Sequence, residues 1–228
     1  MMNDPSNPFS SAQAVARYAE DPPRKVPGFA DLQRMATLLL EEHAPEDASI
    51  LVLGAGGGLE LKTFAHAHPK WRFEGIDPSA EMLILAEQTL GPLRARVQLQ
   101  QGYIDAASEG PFDGATCLLT LHFLGTDERR SSIAEVRRRL KPGAPFVIAH
   151  LSFPQEGGER TLWLSRYAAF AAASGIDFEK AKSASAAIDK HLNLFTPEQD
   201  ESMLRDAGFS GVSLFYAGFA FRGWVAYA

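Results

Sequence analysis

This 228-residue chain contains a single cysteine, Cys117. One thiol cannot form an internal disulfide, and Cys117 falls in a predicted buried strand, so we expect a reducing, cytoplasmic setting. No apolar stretch approaches the roughly 20 residues that span a bilayer, and residues 1–8 lack the basic and apolar regions of a signal peptide. The chain is therefore predicted to have no membrane partner.

The sequence also has no excess of positive charge. Its 22 Lys and Arg residues against 28 Asp and Glu residues give a formal net charge of −6, which disfavours a nucleic acid as a direct partner. The densest basic run lies on a predicted helix over 126–140 that also carries acidic residues, and we interpret it as a solvated helix face. His66, His68 and Glu60 do not recur at a metal-ligand spacing, so no metal site is predicted.

The most informative segment is a short apolar run followed by a cluster of glycines. Residues 50–53 read Ile-Leu-Val-Leu, and residues 54–58 read Gly-Ala-Gly-Gly-Gly. The run is typical of a buried strand, and glycines let the backbone approach a ligand where a Cβ would collide. Asp77 ends the next predicted strand, where its carboxylate can accept hydrogen bonds from both hydroxyls of a ribose. The pattern predicts a nucleoside-containing cofactor at the carboxyl edge of a parallel sheet.

Strands and helices alternate along the first two thirds of the chain. Helical periodicity covers residues 30–42, 59–66, 79–90 and 126–140, with Ser79 as an N-cap. The predicted strands are Ser49–Leu53, Arg72–Ile76, Val97–Gln100, Ala115–Leu119 and Phe146–Leu151. Strands that alternate with helices of ten or more residues predict an α/β fold with a doubly wound, mostly parallel sheet.

The pattern changes near residue 154. Residues 154–195 lack a strand signal and predict a helical insert, or lid, before the last two strands. Thr196 and Pro197 begin another helix, with Gln199 in the capping-box position. Two strand-like runs at 212–216 and 220–226 then form a hairpin, which makes that edge of the sheet antiparallel. We expect residues 1–12 to be disordered and residues 13–228 to form a single domain.

The glycine spacing separates two classes of cofactor. A dinucleotide site has Gly-x-Gly-x-x-Gly, whereas here the spacing is Gly54-x-Gly56-x-Gly58 and the next residue is Leu59. The shorter spacing and the closing hairpin resemble the class I S-adenosylmethionine-dependent methyltransferases, which have a Rossmann-like fold. An NAD-linked oxidoreductase stays as a weaker alternative because of this spacing.

Four further segments make the resemblance closer. The chain resembles the carboxy-S-adenosylmethionine synthases, which act in the pathway that modifies a wobble uridine of tRNA. The resemblance implies a seven-stranded sheet with an antiparallel C-terminal strand, and a homodimer. The segments are Arg24-Lys25-Val26-Pro27-Gly28-Phe29, Leu119-Thr120-Leu121-His122-Phe123-Leu124, Ala207-Gly208-Phe209 and residues 215–226.

The resemblance also implies which residues bind the cofactor. Several positions depart from the family or superfamily: Val52 replaces an acidic residue, Leu118 replaces an Asn, and residues 179–183 offer lysines where an arginine pairs with the added carboxylate. These departures favour plain S-adenosylmethionine, with S-adenosylhomocysteine as the product, over the carboxylated cofactor. The implied positions are Phe29, Gly54, Ala55, Gly56, Asp77, Pro78, Tyr103, Ile104 and Leu118.

Three functions follow as hypotheses. The first is a methyltransferase acting on a small-molecule acceptor, with His122 and His150 as candidate catalytic bases because both lie at the carboxyl ends of strands. The second is a carboxy-S-adenosylmethionine synthase. The third is a non-catalytic partner subunit that keeps the fold, suggested by the polar contacts missing at Val52, Tyr103 and Leu118. The acceptor and the attacked atom are not readable from this sequence.

Overall fold

The protein is described by a computed structural model that covers residues 20–228. The predicted disorder of residues 1–12 lies outside this range. Within it, no helix has the length and apolar character to cross a bilayer.

Seven strands form one sheet in the order β3-β2-β1-β4-β5-β7-β6. Neighbouring strands are parallel from β3 to β5. Strand β7 runs antiparallel to both of its neighbours, β5 and β6, and is therefore the one strand of this sheet that runs opposite to the others. The expected doubly wound, mostly parallel sheet is therefore confirmed, with every predicted strand present and its ends displaced by at most two residues. The strands are β1 (Ser49–Leu53), β2 (Arg72–Asp77), β3 (Val97–Gln101), β4 (Gly114–Leu118), β5 (Pro145–Leu151), β6 (Ser210–Gly218) and β7 (Phe221–Tyr227).

Helices cover both faces of the sheet, and local sequence signals mark where several begin. Ser79 accepts a hydrogen bond from the backbone N–H of Met82, and Thr196 and Gln199 form the expected capping box. The helices are α1 (Asp21–Lys25), α2 (Phe29–Glu41), α3 (Leu59–Ala67), α4 (Ala80–Leu90), α5 (Thr126–Arg139), α6 (Glu159–Ala173), α7 (Phe178–His191) and α8 (Pro197–Asp206).

Two apolar cores lie on opposite faces of the sheet. One contains side chains of α2, α3 and the insert helix α6, and the other contains side chains of α5 and α8. Alternate residues of a central strand supply each core: Val147 and Ala149 belong to the first, and Phe146 and Ile148 to the second. Helix α7 rests on α6 through a small separate cluster of alanines.

The interpretation of α5 as carrying a fully solvated basic face is wrong at two positions. Arg129 and Arg139 are buried. Arg129 ion-pairs with Asp200 of α8, and Arg139 donates to the carbonyl of Ser108. Burial of these guanidinium groups requires the partners that the fold supplies, because an unpaired buried charge is costly.

Candidate functional site

The glycine turn after β1 crosses the carboxyl end of β2. The backbone N–H groups of Gly54 and Ala55 both donate to the carbonyl of Ile76, at 2.8 and 2.9 Å. Gly54, Gly56 and Gly58 have φ values of 78°, 49° and 78°, a region that side chains disfavour. The turn therefore holds the end of β1 directly against the residue before Asp77.

Asp77 lies where the ribose-binding carboxylate is expected. Its side chain is 9% exposed. Oδ2 accepts from the backbone N–H of Gly56 at 2.9 Å, and Oδ1 accepts from the N–H of Ser79 at 2.9 Å. Burial raises the pKa of Asp77, and these two hydrogen bonds offset part of the rise. Each carboxylate oxygen can accept a second hydrogen bond, so the group is fixed in place and can still bind hydroxyls.

Two of the glycines serve the packing of the chain itself. A Cβ on Gly54 would overlap the side chain of Thr120, which follows β4, and a Cβ on Gly58 would lie 3.0 Å from Cα of Ala86 in α4. Gly54 and Gly58 therefore have a packing role that the sequence did not reveal, while the role of Gly54 as a cofactor-binding position stays a prediction. At these positions the absence of a side chain lets the β4 turn and α4 approach.

The remaining predicted cofactor positions lie along the same edge. Gly102 donates its N–H to the carbonyl of Asp77 at 3.1 Å, which brings the turn after β3 beside the carboxylate. Tyr103 in that turn is 60% exposed, whereas Ile104 and Leu118 are buried. Pro78 follows Asp77 and accepts a hydrogen bond from Gln101.

Phe29 reaches this edge from the amino-terminal helices. It is the first residue of α2, and the carbonyl of Pro27 just before it accepts a hydrogen bond from the hydroxyl of Tyr216, at 2.6 Å. Tyr216 lies near the end of β6 at the carboxyl edge of the sheet, so the turn before Phe29 is held at that edge, on the β6 side and four strands from β1.

Both candidate histidines are at the carboxyl edge and both are buried. His122 is 5% exposed, and its Nδ1 accepts from the backbone N–H of Leu151 at 3.4 Å. Burial, together with the electrostatic effect of His150 and Arg129, holds the pKa of His122 well below its usual range. A neutral imidazole that accepts at Nδ1 carries its proton on Nε2, so His122 is arranged as a hydrogen-bond donor.

His150 belongs to a buried ionic cluster. Its ring is fully buried, and Nε2 lies 3.1 Å from Oδ2 of Asp200. Asp200 also accepts from Arg129 at 2.9 Å. The ring of His150 is thus enclosed beside Asp200, and neither of its nitrogens has a hydrogen-bond partner with acceptable geometry among residues 20–228.

Glu60 is a functional candidate that the sequence reasoning missed. It stands in the first turn of α3, is buried, and accepts a hydrogen bond from the hydroxyl of Thr116 at 2.8 Å. Thr116 is the register partner of Val52, so a buried acid lies close to the position where the superfamily has its acidic residue. A glutamate at the start of the helix that follows a glycine turn is the signal that could have found it. Burial raises the pKa of Glu60 to about 8.

The residues present fit a nucleoside cofactor. The carboxylate of Asp77, which can accept from ribose hydroxyls, and the apolar side chains of Ile104 and Leu118, which can cover an adenine, suit such a cofactor, while the amides of the glycine turn hold Asp77 and the end of β2 in place. Among residues 20–228 no three side chains of His, Cys, Asp or Glu cluster in a way that could hold a metal ion.

Comparison with known proteins agrees with this geometry. A family model described as a methyltransferase domain matches residues 50–143, which include the glycine turn and Asp77. The carboxy-S-adenosyl-L-methionine synthase of Chromohalobacter salexigens is 28% identical over 221 residues, covering 94% of this chain and 81% of the relative.

Solved structures extend the likeness to the whole sheet. A putative O-methyltransferase from Nostoc punctiforme superimposes with a TM-score of 0.69 at 16% identity, over 95% of this chain and 59% of that one. Human N-acetylserotonin methyltransferase in complex with S-adenosylmethionine gives 0.63 at 14% identity, over 99% and 60%. This chain thus spans about three fifths of each solved chain, and such identities establish the fold alone.

Proposed function

We propose that the methyl acceptor of this protein is a small molecule. The methyltransferase domain match and the fold confirm the expected class I S-adenosylmethionine-dependent methyltransferase and its cofactor. The observation that carries the cofactor assignment is the carboxylate of Asp77, fixed by the amides of Gly56 and Ser79. It stands beside β1, where the strand order reverses between β1 and β4, which is where ligands of open α/β sheets bind.

The cofactor, when bound, supplies a methyl group on a sulfonium. The chain binds and orients it: Asp77 accepts from the ribose hydroxyls, while Ile104 and Leu118 cover the adenine and exclude water. Transfer then depends on holding the acceptor in line with the methyl–sulfur bond, and such alignment contributes several kcal/mol to catalysis.

The structure supports no general-base role for either histidine. His150 is enclosed with Asp200, and His122 presents a protonated Nε2 with a lowered pKa. We therefore propose that His122, if it meets the acceptor, donates a hydrogen bond that orients it. The acceptor atom would then attack the methyl group without first losing a proton to His122 or His150.

The carboxy-S-adenosylmethionine synthase activity is the second candidate, favoured by the relatives that carry this name. In that family an arginine pairs with the added carboxylate of the cofactor. The stretch of this chain that loosely matches it lies in α7, where Lys180 and Lys182 are exposed. Plain S-adenosylmethionine remains our preference. Mass spectrometry of ligand retained on purification separates the two, since a cofactor heavier by a carboxylate substituent would overturn the preference.

Calorimetry tests the cofactor site directly. We expect S-adenosylmethionine and S-adenosylhomocysteine to bind the parent protein, and Asp77→Asn to weaken both by about 10- to 100-fold, as expected for hydrogen bonds to a charged group. Asp47→Asn, an exposed carboxylate at the opposite edge of the sheet, is the matched control and should leave binding unchanged.

Two results would contradict the proposal. Heat from NAD with none from either adenosyl ligand would indicate an oxidoreductase. Absence of binding by every nucleoside ligand in the parent would support the non-catalytic partner subunit. The cytoplasmic location and the homodimer stay predictions, the first supported by the buried free thiol of Cys117 and the second by the family resemblance.

A further inference from the structure

Two arginines stack on one tryptophan at the carboxyl edge of the sheet. The guanidinium carbon of Arg166 lies 4.4 Å from the centre of the Trp163 ring, and that of Arg222 lies 5.1 Å from it. Because both guanidinium groups contact the same ring, the distance between their central carbons cannot exceed the sum of these two distances. Trp163 and Arg166 belong to the insert helix α6, whereas Arg222 belongs to β7.

Arg222 is held rigidly by one corner of its guanidinium group. Nη1 donates to the carbonyls of Phe219 and Phe221. Nε and Nη2 have no protein partner among residues 20–228, and they are not buried orphans, so this edge of the group faces solvent. A guanidinium presents just such an edge of two parallel N–H donors to a carboxylate or phosphate.

Neither arginine of this pair forms an ion pair among residues 20–228, and the one carboxylate bound to the shared ring is that of Glu159, which accepts from the indole N–H of Trp163 at 2.8 Å. No carboxylate oxygen comes within 4.0 Å of Arg166 or Arg222, whereas the nearby Arg160 of α6 is paired with Asp189. The neighbouring hydroxyl of Tyr216 is already bonded to Pro27. Burial lowers the pKa of Arg222, but the group stays cationic at neutral pH. Both cations are half-buried and contact the same ring, and Arg222 is further held by two backbone carbonyls, so an anion that reaches the free N–H groups would add the counter-charge that neither arginine has as an ion pair.

The position of the pair separates it from the nucleoside site. β7 begins at the carboxyl edge, with Phe221 opposite Leu151. It lies three strands from β1 in the order β1-β4-β5-β7, which corresponds to about 14 Å at the usual strand spacing. The ring of Phe219, 47% exposed, lies 5.9 Å from that of Phe170 in α6, and the carbonyl of Phe219 accepts from Arg222. An acceptor that extends from the β4 end toward the insert would bring its far end here.

We propose that Arg222 and Arg166, stacked on Trp163, form an oxyanion subsite that binds a carboxylate or phosphate group of the methyl acceptor. The identity of the ligand as an acceptor rests on the proposed function, whereas the affinity for an oxyanion does not. The substrate class is therefore a small apolar or aromatic molecule with an anionic group distant from the methylated atom.

Tryptophan fluorescence tests the subsite. Trp163 is half-buried, whereas Trp71 and Trp224, the other two tryptophans, are fully buried, so a ligand at the subsite changes the Trp163 signal first. We expect phenylacetate or phenylphosphate to give a saturable change and neutral phenylacetamide to give none. Arg222→Met should weaken the anion at least tenfold and Arg166→Met less. Arg72→Met, an exposed arginine at the opposite edge of the sheet, should have no effect.

The titration is run with and without saturating S-adenosylhomocysteine. Equal anion affinity in the parent and in folded Arg222→Met, or no saturable change with either anion, would overturn the subsite. A parallel calorimetric loss of S-adenosylhomocysteine affinity in Arg222→Met would assign the oxyanion to the cofactor's own carboxylate and overturn the acceptor proposal. Failure of S-adenosylhomocysteine to bind the parent would sink the proposed function, while the titration without it still tests the oxyanion subsite.

Discussion

The buried carboxyl group of Glu60 makes stability depend on pH. Its pKa in the folded protein is about 8, raised by burial from 4.5. The unfolded chain releases this proton from about pH 4.5, while the folded chain keeps it until about pH 8. The folded state therefore binds more protons across this window, and its stability falls as pH rises through it.

Glu60→Gln should remove this dependence. The amide oxygen can still accept from Thr116 but carries no ionisable proton, so the variant gains on the parent between pH 5 and pH 8, by at most about 1.4 kcal/mol per pH unit. Urea unfolding at several pH values measures the difference. Glu179→Gln, at an exposed position of α7, is the control that should follow the parent. Parallel stability curves for Glu60→Gln and the parent would contradict the assignment.

At the scale of elements, one buried ionic cluster joins α5, β5 and α8. Asp200 of α8 lies 2.9 Å from Arg129 of α5 and 3.1 Å from His150 of β5. Burial raises the pKa of Asp200, but its interactions with His150 and Arg129 lower the pKa by more, and the net shift is downward. Asp200 is thus an anion between two helices, and its charge keeps Arg129 compensated.

Asp200→Asn should destabilise the protein by roughly 3–5 kcal/mol, because the amide keeps the size of the side chain but leaves the buried guanidinium of Arg129 without a counter-charge. Chemical denaturation at neutral pH is the measurement. Asp206→Asn makes the same change at an exposed position of the same helix and should cost under about 0.5 kcal/mol. Equal losses in the two variants would show that the cluster contributes no net stabilisation.

Across the whole molecule, burial is uneven. The sheet is covered on both faces, and β4 and β5 are buried at every residue. Helix α7, in contrast, contributes one buried side chain, Ala181, and rests on α6 through a satellite cluster. Segments with few buried apolar contacts open at low free energy.

We expect hydrogen exchange to report this difference. Amides of Phe178–His191 should exchange at least about 100-fold faster than those of β5, since local opening of α7 exposes only Ala181 and the partly buried Ile188 of the apolar side chains packed against the domain. Mass spectrometry of the ligand-free protein measures both segments in one experiment, with β4 as the internal reference. Equal protection of α7 and β5 would mean that the insert opens only with the whole domain.

Much of this architecture follows from local chemistry in the sequence. Ser79 and Thr196 cap the helices that they predict, and the apolar run before Gly54 becomes β1 with its predicted bounds. Hydrogen bonds within one turn and side-chain periodicity act over a few residues, so they can be recognised in the sequence alone. Asp77 is likewise found at the end of its strand because strand and acid are neighbours in the chain.

Only the tertiary structure decided the rest. An arginine such as Arg129 is expected at the surface from its residue type. It is buried here because its counter-charge, Asp200, lies 71 positions further along the chain and is brought next to it by the fold. Thr120 fills the space beside Gly54, Glu60 reaches Thr116 across two elements, and Arg222 joins Arg166 around one indole. Such contacts depend on where distant strands and helices meet, and no local pattern encodes that meeting. The place of Asp77 beside the glycine turn could thus be predicted from the sequence, whereas the cluster of Arg222 and Arg166 around Trp163 needed the fold.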